Sequence, residues 1–480
     1  MKYLTLILIA LPVILGAAQP NILFCLADDW GWPHAGAYGD KVVKTPTFDR
    51  LAEEGVLFEN AFISSPSCTP SRNAVITGQQ FYRLEEGGQL WSTLDVNKPN
   101  FMFLLRNSGY EIGHWRKAWG PGDFKVGGYT ENPCGPDSTF PEFMKNRDKS
   151  KPFCFWFGTS DPHRAYKLDS GRKDGIPVNK VEVPDFYPDV ETIRSDIADY
   201  YFEVQRWDTD VGDAIALLEK EGMLNNTIIV MTGDHGMPFP RCKTNLYKWG
   251  SQIPLAIRWG DKVKADRRVT DFASFTDFAP TFLDAAGVDI PKVMTGKSLV
   301  PLLTSNKQGR VEKKRNYIVY GRERHVPAQL QPSFDGYPAR AIHNDDYLLI
   351  LNLEEERWPA GVAENATHQH LFSFADCDRS PTKDFLVENQ NDPHFKKYFD
   401  LSFAKRPAVE LYDVKNDPDN VVNLADNPEY SEVIEKLRSQ LEGYLSKTGD
   451  PRYTDAPVLF DEYLYRGGLE PKQPNNRRKN

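Results

Sequence analysis

The stretch SSPSCTPSRNAVITG, residues 64–78, sets a single thiol, Cys68, directly before a helix pattern. Thr69 is a capping residue type, and Pro70 suits a first helical position, where its missing N–H costs nothing. Ala74, Val75 and Ile76 continue the helix, Gly78 can end it, and Arg72 lies one turn inside. Four further clusters carry reactive side chains: Asp28 with Asp29, Arg116 with Lys117, Asp161 with His163, and Asp234 with His235, followed by Lys243. Asp28, Asp29, Asp234 and His235 offer hard oxygen ligands and one imidazole. Such a set favours calcium or magnesium over zinc, while the imidazole keeps zinc or manganese open. Arg72, Lys117, His163 and Lys243 are cationic or can become so. A metal ringed by cations suits an anion with several oxygens, such as sulfate or phosphate.

The four clusters all end short apolar runs: NILFCLADD (21–29), YEIGHW (110–115), PFCFWFGTSDPH (152–163) and TIIVMTGDHG (227–236). Helical patterns lie between them, at 45–55 and 196–222. Alternating strand and helix predict a parallel sheet, whose ligands bind at the carboxyl ends of the strands. Taken singly, paired aspartates and Gly-Asp-His-Gly also suit tight turns. Their recurrence at matching strand ends is what gathers them into one crevice.

The 480 residues exceed a single ordinary domain, and 40% hydrophobic residues supply a sizeable core. With 58 basic and 67 acidic residues the net charge is −9, which argues against general nucleic-acid binding. Residues 1–18, MKYLTLILIALPVILGAA, read as a secretory signal peptide with a cleavage site at Ala17–Ala18. The apolar run is short for a membrane anchor, and no later segment spans a membrane. Of the six cysteines, Cys25 and Cys154 lie in apolar strand runs as core thiols, and no C-x-x-C pair supports a zinc ribbon. Asn225 and Asn365 stand in glycosylation sequons, which matter only on a eukaryotic secretory route.

Cys68-Thr69-Pro70-Ser71-Arg72, followed by NAVITG and preceded by a strand ending in Asp-Asp, resembles the signature of the formylglycine-dependent sulfatases. The branch it is most similar to is the sulfamidase-like one, which includes heparan N-sulfatase and bacterial polysaccharide sulfatases; DPHRAY (161–166), MPFP (237–240), TNLY (244–247), YPARAIHNDDYLLILNL (337–353) and ELYDVKNDPDNVVNLA (410–425) carry that likeness. The resemblance implies that Cys68 is oxidised to formylglycine, with a formylglycine-generating or sulfatase-maturing enzyme as partner. It implies a calcium site, with magnesium or another divalent ion as the alternative, held by Asp28, Asp29, residue 68, Asp234 and His235. It gives Arg72, Lys117, His163 and Lys243 catalytic roles on the sulfate. Two positions depart from the family pattern: His235 stands where many relatives have asparagine, and Trp119 where many have a histidine.

The implied fold is alkaline-phosphatase-like α/β, a mixed or parallel sheet flanked by helices, with a smaller C-terminal antiparallel sheet plus helix. The expected division is 1–18 signal peptide, 19–335 catalytic domain and 336–480 C-terminal subdomain, with 174–190 an irregular surface connection. The implied substrate is a sulfated carbohydrate, cleaved from chain ends at a sulfate ester or sulfamate. Arg164, Arg324 and His325 are the candidates for contacting the sugar. Export to the periplasm or outside is expected, or to the lysosome if the source is eukaryotic. Two rivals remain: a phosphatase or phosphodiesterase of the same fold, which would use Ser or Thr and two metals, and a catalytically silent glycan-binding relative.

Overall fold

The computed structural model describes residues 19–330, 333–363 and 372–468. Residues 1–18, where a signal peptide is expected, Asn365 and the residues from 469 onward lie outside them.

The strands are β1 (Asn21–Ala27), β2 (Val56–Phe62), β3 (Glu111–Trp115), β4 (Phe153–Gly158), β5 (Thr227–Gly233), β6 (Leu255–Arg258), β7 (Arg267–Ser274), β8 (Tyr317–Arg322), β9 (Ala339–Asn344), β10 (Tyr347–Asn352) and β11 (Val409–Asp413). The first seven form one sheet in the order β3-β4-β1-β5-β6-β2-β7, parallel except for β6. Every residue of β1, β4 and β5 is buried, because helices cover both faces of the sheet. Strand periodicity divides β1 between the two layers. Ile22, Phe24 and Leu26 pack with Phe278 and Phe282, whereas Leu23 and Cys25 pack with Tyr200, Val204 and Trp207 of the Glu191–Lys220 helix. Cys25 and Cys154 are buried free thiols in this core, as expected.

The register decides where the polar clusters fall. Leu26 pairs with Gly158, Ala27 with Gly233, and Trp115 with Phe157. The loops after β1, β3, β4 and β5 therefore leave the sheet at one edge. Gly158 permits a close crossing there, since a Cβ on it would stand 1.9 Å from the Lys117 carbonyl oxygen.

The second sheet, β11-β10-β9-β8, is antiparallel. Leu437, Leu441 and Leu445, one helical turn apart on the Ser431–Thr448 helix, cover it against Ile342, Leu349 and Leu411. Two boundary expectations change. The second sheet opens at Tyr317, before the expected division at 335, because β8 pairs with β9. The segment carrying Phe374, Leu386 and Phe403 returns to the first domain's core. Residues 174–190 are irregular but not superficial: Ile176, Val181, Phe186 and Tyr187 are buried, with the Tyr187 hydroxyl donating to the Pro240 carbonyl.

Candidate active site

The helix that opens the site runs from Cys68 to Thr77, with extended Ser67 at its N-cap and left-handed Gly78 closing it. Thr69 does not cap; its hydroxyl donates to the Pro121 carbonyl. All ten residues of this helix are buried, so its N-terminus and the Cys68 thiol face inward.

Around Cys68 the strand ends converge. The sulfur lies 3.2 Å from Lys117 Nζ, 3.4 Å from His235 Nε2 and 3.6 Å from Asp28 Oδ1. Lys117 Nζ donates to both oxygens of Asp28, at 2.5 and 2.6 Å. Arg72 ties the floor together, donating from Nε to Asp234 Oδ2 at 2.9 Å and from Nη2 to Asp28 Oδ1 at 3.3 Å. Its Nη1 donates to the carbonyls of Lys117 and Ala118. Asp29, held at a positive φ of 72°, gives its backbone N–H to Asp234 Oδ1 at 2.8 Å. Lys243 Nζ bridges Asp29 Oδ2 at 2.9 Å and Asp378 Oδ2 at 3.0 Å. His163 Nε2 stands 3.9 Å from Asp29 Oδ2, and its Nδ1 is fixed on the Arg164 carbonyl.

These neighbours reset the charges. Burial pushes the Cys68 thiol well up, against the pull of Lys117. Burial also opposes the charge of Lys117, Lys243 and Arg72, yet their carboxylate partners outweigh it and hold all three above their ordinary range. Burial would raise Asp234, but His235, Arg72 and Lys117 hold it well below the usual carboxylate range. The arrangement is a buried carboxylate nest edged by three fixed cations, a geometry for neutralising a transferring oxyanion group.

Comparison with known proteins places most of the chain. Residues 20–288 match the Sulfatase family, and residues 233–358 match the N-sulphoglucosamine sulphohydrolase C-terminal family. The chain is 30% identical to N-sulphoglucosamine sulphohydrolase of Homo sapiens, over 95% of this chain and 96% of that protein. The chain belongs to the sulfatase family. It is also 28% identical to an ulvan-active sulfatase of Formosa agariphila, over 90% of this chain and 81% of that one. Among solved structures, one in complex with its substrate D-glucosamine-2-N,6-O-disulfate has the same fold, with a TM-score of 0.62 and 20% identity over 90% of this chain and 98% of that chain. This sulfatase is accordingly a sulfuric ester hydrolase of the sulfamidase-like group.

The metal that such enzymes imply fits the residues present. Asp29 Oδ1 is buried without a hydrogen-bond partner, and His235 Nε2 is 3.2 Å from it. Asp29, Cys68 and His235 form one group of candidate ligand atoms and Asp28, Cys68 and Asp234 another, sharing Cys68 and rich in hard oxygens.

Two of the three sugar-contact candidates need correction. Arg164 turns inward: Nη1 and Nη2 each donate to Asp196 at 2.8 Å, and Nε donates to the Pro238 carbonyl. Arg324 is 2% exposed and spends its guanidinium on the carbonyls of Phe334, Tyr463 and Leu464. Arg164 is turned away from a sugar by Asp196 and the Pro238 carbonyl, and Arg324 is kept from one by its burial and by the carbonyls that hold both of its terminal nitrogens. His325 is near the site, but it is buried with Nδ1 2.8 Å from Ser67 Oγ. Trp119 packs against Phe124 and donates to Asn73 Oδ1 at 2.7 Å, so it is core. His114 is also away from the site, on the Gly135 carbonyl. Sequence reasoning missed Asp378, which comes from the C-terminal part of the chain and carries no local motif.

Proposed function

We propose that this sulfatase hydrolyses sulfate groups on a sulfated glycan, an O-sulfate or an N-sulfate, with Cys68 matured to formylglycine and one divalent ion, calcium by preference, at Asp28, Asp29, Asp234 and His235. The observation that carries this reading is the position of Cys68: its sulfur is within 3.6 Å of Lys117, His235 and Asp28 together. A serine-type phosphatase has no use for a cysteine there. The second metal such a phosphatase needs would compete with the Lys243 ammonium, already seated between Asp29 and Asp378.

When present, the hydrated aldehyde supplies one hydroxyl for attack on sulfur and a second whose ionisation releases sulfate, and the ion supplies a Lewis acid beside them. The chain's own residues do the rest. Arg72 fixes Asp28 and Asp234 in one orientation, so the oxygens that face residue 68 are preset. Lys117 and Lys243 place two ammonium groups where charge builds on the transferring group. Lys117 Nζ is also the ammonium nearest residue 68, with its nitrogen 3.2 Å from the sulfur. His163, a third exposed at its side chain, stands on the open side and donates a proton to the leaving atom.

The site is deep. Cys68 and Lys243 are almost wholly buried, and exposure is confined to parts of Lys117, His163 and Asp378. Such a narrow mouth suits a chain end, so the reading is exo-action with release of inorganic sulfate. The 1–18 leader supports export, to periplasm or exterior, or lysosome. The test is activity of the matured enzyme on defined sulfated mono- and oligosaccharides, with peptide mass spectrometry at residue 68. Turnover of phosphate monoesters but of no sulfated substrate would overturn the reading.

A further inference from the structure

Asp378 has no part in the chemistry above, yet it stands at the mouth of the site. Its Oδ2 accepts from Lys243 at 3.0 Å, and among the described residues its Oδ1 accepts no hydrogen bond. Asp28, Asp29 and Asp234 are at most 2% exposed, whereas the Asp378 side chain is 27% exposed. One carboxylate of the cluster therefore keeps a free oxygen toward solvent, and it sits where the substrate enters. One ligand atom each from Asp29, His163 and Asp378 lie within 4.8 Å of one another, so Asp378 is on the leaving-group side with His163.

A second metal is not the explanation. The same carboxylate oxygens hold the Lys243 ammonium, and burial of that ammonium is outweighed by Asp29 and Asp378. Looseness is not the explanation either. Asp376 is clamped by Arg322 at 2.6 Å and accepts the Val326 N–H at 2.9 Å. Lys383 Nζ donates to the carbonyls of Ser373, Phe374 and Cys377 at 2.8 to 2.9 Å. Ser380 caps the following helix through the Lys383 N–H. The turn that carries Asp378 is fixed at both ends, without help from the Asp378 side chain. Rigid support of an exposed polar group on the entry path is how a specificity contact is built.

We infer that Asp378 reads the sugar: its free oxygen accepts from a hydroxyl or amino group on the ring position next to the one bearing the scissile sulfate, and it disfavours a second anionic group there. This rests on the sulfated-glycan reading. The chemistry follows from the charge. An ionised carboxylate is acceptor-only, makes strong bonds to hydroxyl or ammonium donors, and repels a neighbouring sulfate or uronate.

The experiment compares matured wild type with Asp378→Asn and, as a second variant, Asp378→Ala. The probes are glucosamine N-sulfate, N-acetylglucosamine 6-sulfate, glucosamine 2-N,3-O-disulfate and 4-nitrophenyl sulfate. The quantities read are ratios of kcat/KM. The preference for the better monosulfated sugar over the aryl sulfate should fall about tenfold or more, the size of a lost bond to a charged group. The disulfated over monosulfated ratio should rise. Ratios that stay fixed while all rates fall together would overturn the inference and leave Asp378 as a strut for Lys243. Fixed ratios with no fall in rate would overturn it too. Failure of the glycan reading shows separately, in wild type alone, as turnover of the aryl sulfate and of no sugar, and the inference falls with it.

Discussion

The ammonium of Lys117 lies 3.2 Å from the sulfur of Cys68 while holding both oxygens of Asp28. One cation thus touches both the residue that is to react and a carboxylate of the metal set. Cys68→Ala should fold and lose essentially all turnover. Cys68→Ser should also be strongly impaired, because serine lacks the second hydroxyl that releases sulfate. Lys117→Ala should lower kcat by about 10²–10³, the range for removing one preorganised donor. Steady-state kinetics beside circular dichroism checks all three, and an active alanine variant at position 68 would end the mechanism.

Asp29 Oδ1, buried without a hydrogen bond among the described residues and 3.2 Å from His235 Nε2, makes the metal testable without turnover. Stripping the enzyme with chelator should lower its melting temperature, because an ion that binds only the folded chain stabilises it by about 2.7 kcal/mol at a hundredfold excess over Kd. Calcium should restore the melting temperature, and Asp29→Asn should remove most of the calcium response. Calorimetry showing recovery with zinc and not calcium would keep the site and change the ion.

The strand ends were legible because three central strands are buried on both faces, which forces unbroken apolar runs such as ILFCLA and leaves Asp28 and Asp234 conspicuous where they stop. The arginines were not. Arg164 and Arg324 sit beside site residues in sequence, but Asp196 and the Tyr463 carbonyl claim them from distant parts of the chain. Adjacency to His163 and His325 carries no information about which way a long side chain turns. Asp378 is the reverse case: only tertiary folding brings it to Lys243, 135 residues away. The antiparallel β6 was hidden for a related reason, since LAIR is too short to show its direction.

Two buried histidines outside the reacting cluster set an acid limit on stability. Burial holds His34 down to about 4, and burial with nearby Lys248 holds His343 down to about 3. In the unfolded chain both titrate near 6.5, so between pH 6.5 and 4 the unfolded state binds protons that the folded state refuses. Stability present above 6.5 is therefore lost as pH falls, at about 1.4 kcal/mol per pH unit for each histidine. Melting temperature should drop between pH 7 and pH 5. His343→Phe, placed beside Phe62 and Phe272, should make that slope shallower. An unchanged slope would mean that other groups control acid unfolding.

His325 was expected to meet the sugar, but Nδ1 sits 2.8 Å from the hydroxyl of Ser67, the residue at the N-cap position of the Cys68 helix. It is 7% exposed, and burial with the nearby Lys243 charge keeps it neutral, well below its ordinary range. A neutral ring behind the cap holds the start of the helix, and through it the place of residue 68. That makes it a positioning residue for every substrate alike. His325→Ala should lower kcat/KM by a similar factor, about tenfold, on a sulfated sugar and on 4-nitrophenyl sulfate, as expected for slight misplacement of a reacting group. His325→Gln, which keeps a polar partner for Ser67, should recover part of the rate on both substrates. A loss confined to the sugar would return His325 to substrate recognition.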